Sequence, residues 1–369
     1  MELVVRKSDL LRELQLFQGI VERKNTIPIL ANVLLEAKGD QVHFLATDLE
    51  VALRSRCAAS VAKSGALTLP AKKLYEIVRS LPDTDVRIEE DKTGVKVAAD
   101  RFDSRMQTLP REDFPSLPEA SGEVKVTLPS KAIREMVSKT QFAITGEDTR
   151  YFLNGALFVL RHDSMTLVAT DGHRLALVTV QHAVDGKAPE EVKVILPKKT
   201  LFELGKLLSE GDADIVFENG ENHLFFDVGG RVLISRVIDG QFPAYDRVIP
   251  KGNDKVIEFE RDRLTNAVRR VALLSSERSR AVKFIVEKDK VEVTSSSSEF
   301  GEAREQIAVD YDSTPLTISF NAQYVLDFLN VVETDIVSIS LKDDVSQAVM
   351  KPVGAENYDY TYVIMPMRI

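Results

Sequence analysis

The chain of 369 residues contains no tryptophan and a single cysteine, Cys57. One thiol excludes an internal disulfide and any thiolate-built metal centre, and it fits a reducing compartment. No stretch approaches the ~18 apolar residues of a membrane span. The opening Met1–Asp9 lacks the apolar core of a secretory leader, so a cytoplasmic protein is expected. Neither common Gly-rich phosphate loop occurs, and the five histidines never fall at HExxH or another metal-ligand spacing. The sequence therefore points to no metal, no cofactor and no catalytic residue. A basic excess is lacking too. The formal net charge is −9, the reverse of the usual nucleic-acid footprint. What decides the matter is where the charges sit.

What is present is a repeat. Val4–Arg6 followed by Ser8–Leu14, Val124–Leu128 followed by Ser130–Met136, and Val256–Phe259 followed by Arg261–Val268 each read as a short strand, a polar cap and an amphipathic helix. Two strands follow each time: Ala31–Ala37 with Val42–Thr47, Gly155–Leu160 with Met165–Thr170, and Ala281–Glu287 with Lys290–Thr294. The equivalent threonines, Thr47, Thr170 and Thr294, lie 123 and 124 residues apart. A second strand–helix unit opens inside each segment, at Leu67–Leu74, Val194–Leu201 and Leu316–Val325, with strands after it at Val86–Glu89, Ile215–Glu218 and Ile336–Leu341.

These spacings predict three α+β domains, 1–120, 121–251 and 252–369, each holding two strand–helix–strands units. The helices are expected at 8–21, 71–81, 130–141, 198–208, 261–274 and 321–332. Asn154-Gly155, Asp171-Gly172, Asp185-Gly186, Asn219-Gly220 and Asp239-Gly240 read as turns. Basic residues outnumber acidic ones on the predicted helices, although the last carries Asp327 alone. The remainder of the chain holds the acidic excess. One face suits phosphates and another repels them. If such helices line a hole, packing at ~8–10 Å leaves six of them an opening of about 7 Å once their own radius is subtracted. Twelve leave about 25 Å, enough for a duplex roughly 20 Å across. A DNA-enclosing form should thus be a dimer.

Several local patterns carry a resemblance. Thr26–Asn32, Ala46–Glu50, Arg150–Gly155, Ala169–Leu175, Asp239–Tyr245 and the ending Tyr362–Ile369 are similar, in order and over the whole chain, to bacterial DNA polymerase III β clamps. The resemblance implies three clamp domains per chain, with helices lining a ring and sheets outside it, in a head-to-tail homodimer that encircles double-stranded DNA without sequence preference. It implies a non-catalytic processivity factor. The partners are the clamp loader, the replicative polymerase and other proteins carrying short clamp-binding peptides. Carried over residue by residue, it implies phosphate contacts at Lys24, Lys72, Lys198 and Lys199, with Tyr151 and Phe152 on a nearby loop. It implies a peptide pocket from Leu153, Thr170, Gly172, His173, Arg174, Leu175, Pro243, Arg247, Val248, Val363, Ile364, Met365, Pro366 and Met367. Asn321, Tyr324 and Arg368 are its expected neighbours. The dimer contact would use Leu273 and Leu274, with Lys73, Arg101 and Arg105 facing the partner's Glu299, Glu302 and Glu305. Met106, and Ser104 beside it, depart from the larger apolar residues common there.

Two rival readings stand beside this one. Asp171 and His173 could serve a hydrolase-like enzyme as an acid/base pair, against the plainer explanation of an Asp-Gly turn. A monomeric protein-binding scaffold is the other.

Overall fold

The computed structural model describes residues 1–21, 26–120, 124–146, 148–183, 185–187 (backbone) and 190–368. Lys24 lies outside them. Six α-helices occur among the described residues: α1 Lys7–Phe17, α2 Ala71–Ser80, α3 Ser130–Thr140, α4 Lys198–Ser209, α5 Arg261–Ala272 and α6 Ala322–Val331. Each matches an expected helix. Apolar side chains at helical spacing explain them: α1 buries Leu10, Leu14 and Phe17, and α2 buries Ala71, Leu74 and Val78. Pro70 and Pro197 end the strands Gly65–Pro70 and Glu191–Pro197 immediately before α2 and α4, where a missing N–H is tolerated. Asn321 caps α6, its side chain accepting from the Gln323 amide.

The chain forms two compact units. The first comprises Met1–Ile133, Asp185–Ala188 and Lys199–Val237. It contains a five-stranded sheet in the order Ser60–Lys63, Glu2–Arg6, Asp85–Asp91, Gly94–Ala99, Phe102–Met106. It also contains a nine-stranded sheet in the order Asp185–Lys187, Val124–Leu128, Ile215–Asn219, His223–Val228, Arg231–Arg236, Val51–Ala58, Gln41–Thr47, Asn32–Lys38, Gly65–Pro70. The second comprises Arg134–Val184, Pro189–Lys198 and Ile238–Ile369. Its eight-stranded sheet runs Glu191–Pro197, Gly155–Arg161, Ser164–Thr170, Arg174–Gln181, Asp359–Ile364, Ala348–Pro352, Ile336–Leu341, Lys255–Glu260. Its four-stranded sheet runs Gly301–Ala308, Lys290–Ser297, Ala281–Glu287, Leu316–Asn321. Adjacent strands in all four sheets pair antiparallel among the described residues, and so do the seams between repeats.

Compactness groups strands by sheet rather than by sequence repeat, because each large sheet joins two repeats. In the first unit Arg231–Arg236 pairs with Val51–Ala58, Ile234 opposite Ala52. In the second Asp359–Ile364 pairs with Arg174–Gln181, Val363 opposite Leu175. Both seams are apolar and buried: Val51, Ala52, Leu53, Leu233 and Ile234 in one, Leu175, Ala176, Tyr362, Val363 and Ile364 in the other. Phe328 stacks on Tyr362 at 5.4 Å and lies 5.3 Å from Tyr360, which anchors α6 beneath the second seam.

Two turn expectations fail. Asp185-Gly186 lies in an edge strand paired with Val124–Leu128. Gly155 begins a strand, where a Cβ would stand 2.4 Å from the Leu196 carbonyl oxygen. Close backbone approach, not a turn, requires that glycine. Ala31 belongs to a short 3-10 turn, Pro28–Ala31, and its strand starts at Asn32.

Candidate functional site

The turn after strand Ser164–Thr170 is built by local acceptors. Thr170 Oγ1 accepts from the Gly172 amide at 3.1 Å and donates to the Arg174 carbonyl at 2.7 Å. Asp171 Oδ1 accepts from the amides of His173 and Arg174 at 2.9 and 3.0 Å. Gly172 takes φ +87°, which its lack of a Cβ permits. The Asp171 carboxylate is thus engaged by backbone amides and by Arg174 Nε at 3.0 Å. These contacts make it a turn device rather than the orienting half of a His173 dyad.

Beside this turn lies a cleft of about 180 Å³ within the second unit. Leu153, Thr170, Gly172, His173, Arg174, Leu175, Pro243, Val248, Val363 and Met365 line it, all of them expected from the sequence. Arg150 joins them. It opens the Arg150–Gly155 pattern, which by itself does not point to the pocket. Asp148 holds the Arg150 guanidinium through 2.8 and 3.0 Å bonds, and that bonding lowers the carboxyl of Asp148 to about 2. The guanidinium lies over Gly172, where a Cβ would meet its nitrogens at 3.3–3.4 Å. Leu157, Val159, Val168 and Ile195 form the core behind the cleft, with Phe152, Phe242 and Tyr245 packed against it. The rim stays open: Val248 and Met365 are about two-fifths exposed.

Other expected pocket residues lie elsewhere. Ile364 is fully buried, facing the opposite side of its strand from the cleft. Asn321 serves as a helix cap, and the Tyr324 carbonyl accepts from the Tyr362 hydroxyl at 2.9 Å. Met367 donates its amide to Ser319. Arg247 closes a short 3-10 turn, Tyr245–Arg247. Pro366 and Arg368 follow the last strand. None of these seven lines the cleft.

Arg174 departs most from expectation. Its guanidinium binds Asp171, Asp327 and the Phe142 carbonyl oxygen, and it stacks 4.3 Å from the centre of the Tyr324 ring. Only 9% of the side chain is exposed. It is a clasp between turn and α6, and it offers a ligand little more than an edge. Asp327, the lone charge that broke the basic pattern of the helices, is one jaw of that clasp.

The expected phosphate contacts divide. Lys72 and Lys198 are exposed on α2 and α4, Lys72 lying 3.8 Å from Glu76 and Lys198 donating to the Ile144 carbonyl at 3.0 Å. Tyr151 is 56% exposed and meets Phe152 edge-on at 5.9 Å. Lys199 is only partly exposed. Its Nζ binds Asp48 and the Ile20 carbonyl, so it is a structural tie rather than a surface cation.

The expected interface residues also divide. Leu273 is 78% exposed and borders a cleft of about 440 Å³ with Leu274, Phe300 and Arg269. Phe300, half exposed, had no sequence signal beyond its hydrophobicity. Arg101, Glu299 and Glu302 are exposed on or beside sheet edges. Met106 faces inward, 8% exposed, so it belongs to the core. Lys73 pairs with Glu76 at 2.8 Å, Arg105 with Asp91 at 2.9 Å and Glu305 with Arg270 at 2.6 Å, each within its own chain.

Comparison with known proteins agrees with this geometry. Residues 1–118, 127–244 and 246–368 match models of the DNA polymerase III beta subunit N-terminal, central and C-terminal domains. The chain is 37% identical to the beta sliding clamp of Pseudomonas putida and 35% identical to that of Escherichia coli, covering all of both. Its fold matches a DNA polymerase sliding clamp crystal structure from Pseudomonas aeruginosa with TM-score 0.92 at 35% identity, and pol III beta of Caulobacter crescentus with TM-score 0.91 at 36%, again over whole chains. Three clamp domains in one α+β chain, end-to-end sequence identity and end-to-end structural agreement place this chain in the DNA polymerase III beta subunit family, the beta sliding clamps.

Proposed function

We propose that two copies of this chain close head to tail into a ring around duplex DNA and tether the replicative polymerase and other DNA-processing proteins, in the cytoplasm and without catalysis. Its three domains span 1–120, 121–251 and 252–369. The observation that carries this reading is the pattern of sheet edges. Twice inside the chain, the last strand of one repeat's four-stranded half-sheet pairs with the third strand of the preceding repeat's half-sheet. Each unit also holds one such strand at a sheet edge: Phe102–Met106 in the first and Gly301–Ala308 in the second. They are the two halves of a third seam, and a second chain supplies the mate of each. A sheet edge of this kind is a ready template for pairing. A single chain's six helices would leave too narrow a hole, and two chains leave about 25 Å.

Lys24, Lys72 and Lys198, with Tyr151 and Phe152, contact the backbone. Such contacts are weak, sequence-blind and salt-sensitive, which allows sliding. The cleft beside Gly172 takes short extended peptides from the clamp loader and polymerases. Its apolar floor gives affinity, while Arg150 and His173 at the rim select polar neighbours.

The test compares loaded protein on circular and linearised plasmid. Retention on the circle with run-off from the linear form is expected. Equal loss from both defeats the proposal. A sedimentation mass of one chain at micromolar concentration would defeat the dimer.

A further inference from the structure

We propose a second ligand cleft, at the Thr47–Val51 turn, that takes a short extended peptide with an aliphatic side chain next to a basic one. The inference rests on reading the cleft beside Gly172 as a peptide site. The two turns are built alike. Thr47 Oγ1 accepts from the Leu49 amide at 2.9 Å and donates to the Val51 carbonyl at 3.1 Å, and Asp48 Oδ1 accepts from the amides of Glu50 and Val51. Thr170 and Asp171 make the same bonds with Gly172, His173 and Arg174. Each turn sits beside the seam where one repeat's sheet meets the next, with Ile234 opposite Ala52 here and Val363 opposite Leu175 there.

The first-unit cleft is the larger, about 370 Å³. Ala52 and Ile234, both nearly inaccessible, form its floor with Leu117 packed against them. The segment Pro115–Pro118 forms one wall, as Pro243 does in the other cleft. The difference lies in what the turn presents. Leu49 stands where the second turn has Gly172, and it holds φ +80°. A branched residue in the left-handed region is strained, and such strain persists where the surroundings or a function demand it. Leu49 gains little burial in return, for it is 48% exposed at the mouth of the cleft. The backbone is bent to hold an apolar side chain towards solvent, beside an apolar floor. A ligand covering Leu49 would bury it.

The charge is changed as well. Glu50 occupies the place of His173, and Val51 that of Arg174. Among the residues lining the first cleft, Glu50 is the carboxylate and His223 the other titratable group. His223 is pushed towards its neutral form by burial and then by Arg236, which pairs across from it on the next strand. Asp48 is engaged by Lys199. A basic residue next to the aliphatic anchor complements Glu50, whereas the second cleft, with Arg150 and His173 at its rim, favours the opposite sign.

The experiment pans a display library of random heptapeptides over the full-length protein with the second cleft blocked by Val248→Asp and Met365→Asp. Enrichment of peptides pairing Leu, Ile or Val with Lys or Arg is expected. Those peptides should bind Glu50→Lys and Leu49→Gly variants at least tenfold more weakly. Leu49→Gly relieves the backbone strain, so a melting temperature at or above the parent's would confirm that the loss is not unfolding. No enrichment over an albumin control, or undiminished binding to both variants, overturns the proposal. Panning the unblocked protein tests the other cleft by itself. If none of its peptides is lost on blocking, the reading of the Gly172 cleft fails whatever the first cleft does.

Discussion

Arg174 has neighbours from distant parts of the chain, Asp327 lying 153 residues away. Removing the cation leaves two poorly exposed carboxylates, Asp171 and Asp327, without their counter-charge. Breaking such a pair from one side costs about 3–5 kcal/mol. Arg174→Ala should therefore lower stability by about that much in urea unfolding. Arg174→Lys should recover little, since an ammonium cannot bridge both carboxylates while stacking flat on Tyr324. A shift below 1 kcal/mol would show that the clasp is not structural. Cys57 gives a second check. Burial, then Glu13 and Asp9, push its thiol up to about 12. The thiolate is the reactive form. Alkylation by iodoacetamide at pH 8 should run at least a hundredfold slower than for free cysteine, and should recover as pH approaches 12. Residue type alone did not announce the surroundings of Arg174. The Asp171-Gly172 turn was legible because its hydrogen bonds are local, whereas the partners of Arg174 and Lys199 come from other elements.

Elements were the most legible scale. Amphipathic spacing located all six helices to within a few residues at each end, because a helix that buries one face must repeat its apolar positions along its own length. Strand identity followed from alternation, but strand neighbours did not. Asp185-Gly186 reads as a hairpin turn on composition and is an edge strand because Val124–Leu128 offers it hydrogen bonds. The internal seams are apolar, while the two edges assigned to the dimer carry Arg101, Asp103, Arg105, Glu302, Arg304 and Glu305. Charged edges resist indiscriminate pairing, and in the proposed ring they would make the joint between chains the separable one. Leu273 is the more exposed of two apolar residues on that side, the other being Phe300. Leu273→Asp should leave melting of the single chain nearly unchanged, within about 0.5 kcal/mol, and shift the sedimentation mass from two chains to one. A dimer persisting at nanomolar concentration would place the contact elsewhere.

At the scale of the whole molecule, net charge −9 misleads. The predicted helices hold the basic excess, and the proposed reading turns them towards DNA. Lys72→Glu with Lys198→Glu should reduce the salt slope of binding to linear duplex by about two, one for each lost phosphate contact. Residence on circular plasmid should change far less, since topology retains the ring. A slope unaltered by both substitutions would remove those helices from the DNA face. The resemblance of local motifs made the family legible from the sequence. The identity of the seams needed the hydrogen-bond registers, because nothing in the alternation of Val51–Ala58 says which strand lies beside it.

In the proposed ring, the seam pattern would also set how assembly goes wrong. A joint made from two unlike surfaces has no built-in stop, and it ends only when the accumulated rotation returns to its start. In the proposed ring that rotation would depend on the seams inside each chain, where buried side chains such as Leu53 and Leu233 pair. A substitution that opened one of those hinges by a few degrees would leave every protomer folded and the contact surfaces between protomers unchanged. The product would be an endless spiral of clamps instead of a circle, visible by electron microscopy as filaments.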